Sequence, residues 1–170
     1  MKIVYIGIDN GVTGSIGCIT IEDGLLNAIQ IKTPVKKVMN YTKSVKRFVS
    51  RIEYKDLKKN LSLMIKDADR LVCRLERPMI NNTRFHQTVS AARSHEATEI
   101  CLEELEIPFD YIDSTKWQRA LFPKGTEKKE LKVASMTLGK RLYPNANVHN
   151  RKDYDGLLIA EYLRKRSENG

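Results

Sequence analysis

Long hydrophobic runs are missing from this chain of 170 residues. No apolar stretch approaches the roughly 20 residues that cross a bilayer, and the N-terminus lacks the basic, apolar and small-residue order of a signal peptide. The expectation is a protein without a membrane span, residing in the cytoplasm. Cysteine is scarce too: Cys18, Cys73 and Cys101 each sit inside an apolar segment, none in the close pairing that zinc sites use. They read as reduced core thiols of an intracellular protein. Repeats, low-complexity tracts and linkers are absent, and the length suits one domain, 1–170, able to bury a core without staples. Acid is in deficit as well. Lysine and arginine total 30 against 21 acidic residues, a net charge of +9 that points to a polyanionic partner or, on the plainer reading, serves solubility alone.

What is present begins with three β-rich runs, "KIVYIGID", "SIGCITIE" and "LNAIQIKT", separated by turn signals at "NGVTG" and "EDG". They predict a three-stranded antiparallel meander. Apolar residues at Val45, Phe48, Val49, Ile52, Leu57, Leu61 and Ile65 have the spacing of one amphipathic helix over about 38–66. "ADRLVCRLERP" predicts a strand that ends at Glu76, since Pro78 cannot continue a central ladder. A helix is expected over 86–106, with an apolar stripe of Val89, Ala92, Ala97, Ile100, Cys101 and Leu105. A short strand "FDYID" follows, then a short helix "TKWQRALF" with the hydroxyls of Ser114 and Thr115 as caps. Helices over about 128–142 and 153–166 complete the chain. Five strands and these helices give an α/β protein with a mixed five-stranded sheet and helices packed on it.

Acidic residues recur where elements end. Asp9 closes the first strand, Glu76 the fourth, and Asp153 and Asp155 open the last helix. If the first and fourth strands are neighbours, Asp9 and Glu76 lie side by side and the helix start brings in Asp155. Carboxylates crowded in this way repel one another unless a cation neutralises them. All-oxygen ligands select Mg²⁺ or Mn²⁺ over zinc. Two such ions, about 3.5–4 Å apart, activate a water and stabilise the leaving oxygen of a phosphodiester. With a basic surface, this predicts a nuclease. Each piece also has a plainer reading: a turn aspartate before Asn-Gly, a Glu76–Arg77 surface pair, a helix cap at Asp153 or Asp155. The combination favours the metal site.

"YIGIDNGVTGSIG", "LVCRLERP", "NNTRFHQTVSAARSHEA" and "DYDGLLIAEYLRKR" resemble, in that order, the motifs of RuvC-like Holliday-junction resolvases, particularly the phage-type members. The resemblance runs from about residue 3 to 166 and is weakest over 33–66. It implies an RNase H-like fold, with helices on both faces of the sheet, a homodimer acting on branched DNA, and two Mg²⁺ ions per site. By matching motifs, Asp9 is the ligand between the metals, Glu76 the second carboxylate and Asp155 the third. Where the family places an Asp or His three residues before that last Asp, this chain has Lys152. Asp153 is the expected fourth ligand if the helix begins between it and Asp155, and His149 is the substitute. Where the bacterial enzymes commonly carry an aromatic residue three positions after the glutamate to help open the junction, this chain has Met79 to wedge against bases and Phe85 to stack on them, the plainer reading being that both pack in the core or the dimer interface. Arg77, Arg84, Arg93, Lys124, Lys128 and Lys129 are expected to track phosphates, Lys124 and Lys128 nearest the scissile one. The helix over 86–106 would supply much of the dimer interface.

Competing readings remain at this level. "DNGVTG" also looks like the first phosphate motif of sugar kinases and actin-like ATPases, but that fold needs a second lobe for which 170 residues leave no room. A branched-DNA nuclease of relaxed specificity and a non-catalytic DNA-binding module are the other two.

Overall fold

The computed structural model describes residues 1–40, 48–148 and 153–168. Strands β1 (Lys2–Asp9), β2 (Ser15–Glu22) and β3 (Leu25–Lys32) form the expected antiparallel meander, with Asp9 opposite Ser15 and Ser15 opposite Lys32. Alternation along β1 divides its side chains between two cores. Val4, Ile6 and Ile8 enter one, Tyr5 the other.

The segment after β3 departs from the expected helix. Val35–Met39 (β4) and Phe48–Ile52 (β5) pair antiparallel as a separate two-stranded sheet, and among the described residues of this segment only Tyr54–Ile65 is helical (α1). Val45 lies outside the described residues. The 3–4–7 spacing of Phe48, Val49 and Ile52 against the later leucines suits a helix, but β-branched Val35, Val38, Val49 and Ile52 favour extended backbone. In the ladder Ile52 is buried and Phe48 exposed, so the spacing does not mark one buried face.

Strand β6 (Arg70–Glu76) ends at Glu76 as expected and lies parallel to β1, with Ile8 level with Leu75. Helix α2 (Phe85–Glu104) follows, then β7 (Phe109–Ile112), α3 (Ser114–Leu121), α4 (Leu131–Leu142), a two-residue strand β8 (Asn147–Val148) and α5 (Asp155–Glu168). The main sheet has the order β7-β6-β1-β2-β3-β8 and therefore six strands, not five. The addition is β8, which pairs with Ile29 and Gln30 of β3 and is too short to leave a sequence pattern.

Two details of the helices also differ. On α2 the buried face is Ser94, Thr98, Cys101 and Leu102, while Ala92 and Ile100, assigned above to an apolar stripe, are exposed. The Ser94 and Thr98 hydroxyls enter the core because each donates to the carbonyl four residues back, at 2.9 Å. Helix α3 has Asp113 at its N-cap and no side-chain cap bond, with Ser114 and Thr115 already in the first turn.

Helices cover both faces of the sheet. Leu57 and Leu61 of α1 and Cys101 and Leu102 of α2 pack on Val4, Ile6, Ile8 and Ile16. Trp117 of α3, Leu138 of α4 and Leu157, Leu158 and Ile159 of α5 pack on Tyr5 and Ile19. Each fully buried Leu or Ile contributes about 1.5–3 kcal/mol. The three cysteines are free and buried, where loss of water raises their thiols to about 11 for Cys18 and Cys101 and about 12 for Cys73.

The approach of α5 to the sheet is set by glycine. A Cβ on Gly17 would fall 2.2 Å from the Leu157 nitrogen, and one on Gly7 would fall 2.3 Å from the Gly156 carbonyl. Only hydrogen at both positions lets the helix backbone rest on β1 and β2. That contact carries Asp155 to Asp9.

Candidate metal centre

Carboxylates from a strand end, a helix start and the chain just before that helix converge at one end of the sheet. Asp9 ends β1 on the face that α5 covers, Asp155 is the first residue of α5, and Asp153 precedes it outside any regular element. One carboxylate oxygen from each lies within 4.8 Å of the others. Glu76, at the end of the neighbouring strand, stands outside that group of three but close enough for its charge to act on Asp9. The helix does begin between Asp153 and Asp155. His149 and Lys152 lie outside the described residues.

Hydrogen bonds fix the start of α5. The first amides of a helix have no partner within it. Here Gly156 N donates to Ser15 Oγ at 3.0 Å and Leu157 N to Gln30 Oε1 at 2.9 Å, while Asp155 N faces Asp153 Oδ1 at 3.5 Å. Gln30 Nε2 in turn donates to the Asp153 carbonyl at 2.8 Å, holding the residue before the helix. Ser135 of α4 accepts from Tyr154 N at 2.9 Å and donates to Asp155 Oδ1 at 2.5 Å. Ser15, Gln30 and Ser135 are all fully buried. None was singled out from sequence, because their partners are separated by 141, 127 and 20 residues.

The electrostatics are those of crowded like charges in a poorly hydrated site. Burial, then the charges of Glu76, Asp155 and Asp153, push the Asp9 carboxyl well above its ordinary value. Burial and Asp155 raise Glu76 to about 7, and burial with Asp153 raises Asp155 to about 6, against the Ser135 hydrogen bond. The buried Trp117 indole N–H lies close enough to Glu76 to temper its rise, yet outside hydrogen-bonding geometry. The lysine whose charge reaches Asp9 and Asp155 is Lys132, on the exposed side of α4 one turn before Ser135. Sequence reasoning had favoured Lys124 and Lys128 and passed over it. The available signal was its i,i+3 relation to Ser135 on one helix face.

The expected DNA-contacting residues lie outside this group of carboxylates. Met79 is 70% exposed and Phe85 67%, so neither packs in the core of this chain. Arg77 stacks over the Tyr111 ring at 5.2 Å and pairs with Asp113 at 3.3 Å. Arg84 approaches Gln87 at 3.5 Å, and Lys129 pairs with Glu127 at 2.8 Å. Lys124 and Lys128 are exposed, and Arg93 is half-buried on α2.

This chain is similar to the structure of Thermus thermophilus RuvC in complex with a Holliday junction substrate, with a TM-score of 0.62 and 15% identity over 99% of this chain and 96% of that one. It is similar to a second Thermus thermophilus RuvC structure, with a TM-score of 0.57 and 17% identity over 97% of both chains. The fold is the RuvC type of RNase H-like fold. At such identity the likeness establishes the fold alone. No family model and no curated protein matches the sequence.

The donor set fits a hard divalent cation. Carboxylates supply only oxygen, several converge on one point, and the cation whose charge reaches Asp9 and Asp155 sits on an exposed helix position. Among the described residues no helix is long and apolar enough to cross a membrane.

Proposed function

We propose that this chain is a metal-dependent endonuclease that binds branched DNA as a homodimer and resolves Holliday junctions by paired phosphodiester hydrolysis. The observation that carries the reading is the convergence of Asp9, Asp153 and Asp155, with Glu76 beside them, at the end of a RuvC-type sheet. That one of the similar structures holds a Holliday junction substrate supports the substrate class.

Asp9, Glu76, Asp153 and Asp155 would hold two Mg²⁺ or Mn²⁺ ions. Bound there, such ions activate a water and stabilise the leaving oxygen of an in-line displacement. The chain's own residues prepare the site. Ser135 orients Asp155 and keeps its carboxyl more acidic than burial would leave it. Ser15 and Gln30 fix the helix start so that Asp155 cannot swing from Asp9. Lys132 adds a positive charge at the open side, suited to a phosphate approaching the carboxylates. Arg77, Arg84, Lys124, Lys128 and Lys129 contact the DNA backbone, and exposed Met79 wedges at the bases. The exposed side of α2, including Ala92 and Ile100, supplies the dimer contact.

The test is incubation with a labelled four-way junction, a flap and a linear duplex, in Mg²⁺ and in EDTA. Paired symmetric nicks in the junction are expected in Mg²⁺ alone. Binding without cleavage would sink the enzymatic claim, and equal cutting of flaps would reduce it to a nuclease of relaxed specificity.

A further inference from the structure

The β4–β5 ladder has no part in the centre described above, and as a stabilising element it is poor. A two-stranded sheet alone is marginal in water. Its Val35, Met39 and Phe48 are 43%, 67% and 52% exposed. Lys36 stands directly opposite Arg51, a like-charge pair that destabilises a ladder. Lys36 has a counter-ion in Glu53 at 2.8 Å, whereas neither Lys37 nor Arg51 has an ion-pair partner among the described residues. In sequence, the stretch from 35 to 52 carries six lysines and arginines and no acid.

Its position is informative. β3 ends opposite the start of β2, and Thr33 N donates to the Gly14 carbonyl at 3.1 Å, so the ladder leaves the sheet beside the turn that follows Asp9. Glu53 N returns to the Pro34 carbonyl at 2.9 Å, closing the base of the ladder at the same place. β5 also packs on α2, which reaches the Asp9 turn through Asn10 Nδ2 and the Ala91 carbonyl at 3.4 Å. Five residues of ladder extend roughly 14 Å from that base, a distance that spans two or more phosphates along a DNA strand.

We infer that β4–β5 is a DNA-binding arm, with Lys37 on one face of the ladder and Arg51 on the other contacting phosphates on either side of the arm, and the Met39–Phe48 pair, on the Lys37 face, lying against sugars and bases of the DNA beside the metal centre. The inference rests on the nucleic-acid reading above, and deepens it by assigning the arm. Polyanionic phosphate is the partner that turns the repulsion across the Lys36–Arg51 pair and the uncompensated charges of Lys37 and Arg51 into binding energy, released counterions supplying the driving force. The apolar Met39–Phe48 pair beside Lys37 suits stacking on unpaired bases.

The test is a salt series of junction binding, read by fluorescence anisotropy in EDTA, for the wild type and the K37E/R51E double variant. Sedimentation and the Mg²⁺-induced shift in melting temperature serve as controls of assembly and of the metal centre. The variant is expected to bind about tenfold or more weaker, with a log K against log salt slope smaller by about 2 and an unchanged Mg²⁺ shift. Wild-type affinity and slope in the variant would overturn the arm alone. Loss of self-association with an unchanged salt slope would make the ladder a contact between copies, and likewise overturn it. Hairpin-dependent binding without cleavage in Mg²⁺ would support the arm and overturn the resolvase reading. A wild type that binds no DNA would overturn both.

Discussion

Two acidic positions on α5, one buried and one half-buried, are treated in opposite ways. Glu161, 1% exposed, receives Arg164 Nε at 2.7 Å and Nη2 at 3.0 Å, the Tyr143 hydroxyl, and Lys165 Nζ at 3.6 Å. Burial alone would raise its carboxyl, but the hydrogen bonds of Arg164 and Tyr143 and the two positive charges hold it below its ordinary value. Asp155, six residues earlier, has one neutral hydroxyl partner and faces other carboxylates, and it is raised to about 6. The helix can therefore supply a buried carboxylate with full compensation where structure alone is at stake. At its N-terminus the described residues set only the Ser135 hydroxyl and the charge of Lys132 against several converging carboxylates, an arrangement suited to a bound cation.

Substitution separates the two most sharply. Asp9→Asn, Glu76→Gln and Asp155→Asn should each abolish Mg²⁺-dependent junction cleavage, a fall of at least about a thousandfold in single-turnover rate, equivalent to about 4 kcal/mol. Junction binding should persist, and the melting temperature in EDTA should hold or rise because repulsion is relieved. Full activity in Asp155→Asn would refute its place in the site. A severe loss is expected for Asp153→Asn as well, and a comparable loss in His149→Ala with Asp153→Asn active would move the fourth ligand there.

Glu161→Gln should do the reverse. Removing the charge takes away the buried carboxylate that Arg164, whose side chain is 19% exposed, pairs with, and costs about 3 kcal/mol, or roughly 6–12 °C in melting temperature. Cleavage per folded molecule should match wild type. A catalytic loss without a stability loss would break the distinction between the two ends.

A pH series sharpens it further. Glu76 and Asp155 have folded-state values raised to about 7 and about 6, so the stability they contribute is present below about pH 4 and is lost as pH rises through 6 and 7. Glu161 is depressed, so its contribution is present above its ordinary value and is lost as pH falls. In EDTA the melting temperature should fall by a few degrees from pH 5 to pH 7.5, and Mg²⁺ should stabilise more at pH 7.5 than at pH 5. A melting temperature in EDTA that climbs steadily over this interval would show that the carboxylates are compensated after all.

Much of this was legible because it is local. The apolar runs ending at Asp9 and Glu76 reveal both strands and the acids at their ends, and "DYDGLLIA" points to Asp153 and Asp155 at a helix start. The two strands Val35–Met39 and Phe48–Ile52 are not legible as such because apolar spacing of 3, 4 and 7 also occurs by chance in a β-branched segment, where packing on α2 decides. Ser15, Gln30 and Lys132 could not be found locally. Their importance exists only once β2, β3 and α4 are folded against the start of α5.

The smallest effect tests whether even the slight compensation at Asp155 matters. Ser135 is buried on α4, and its hydroxyl lowers the Asp155 carboxyl while accepting from Tyr154 N. In Ser135→Ala the carboxyl loses that hydrogen bond and binds its proton more tightly. The acid limb of the cleavage profile should move up by as much as about one pH unit, equivalent to about 1.4 kcal/mol. Cleavage at pH 6 should therefore fall several-fold while cleavage at pH 8, where Asp155 is ionised in either protein, stays close to wild type. A pH-independent loss would instead mean that Ser135 only packs the helix start, because removing a packing contact changes the position of Asp155 equally at every pH. The shape of the profile, not its height, distinguishes a hydroxyl that tunes the carboxylate from one that merely fills space.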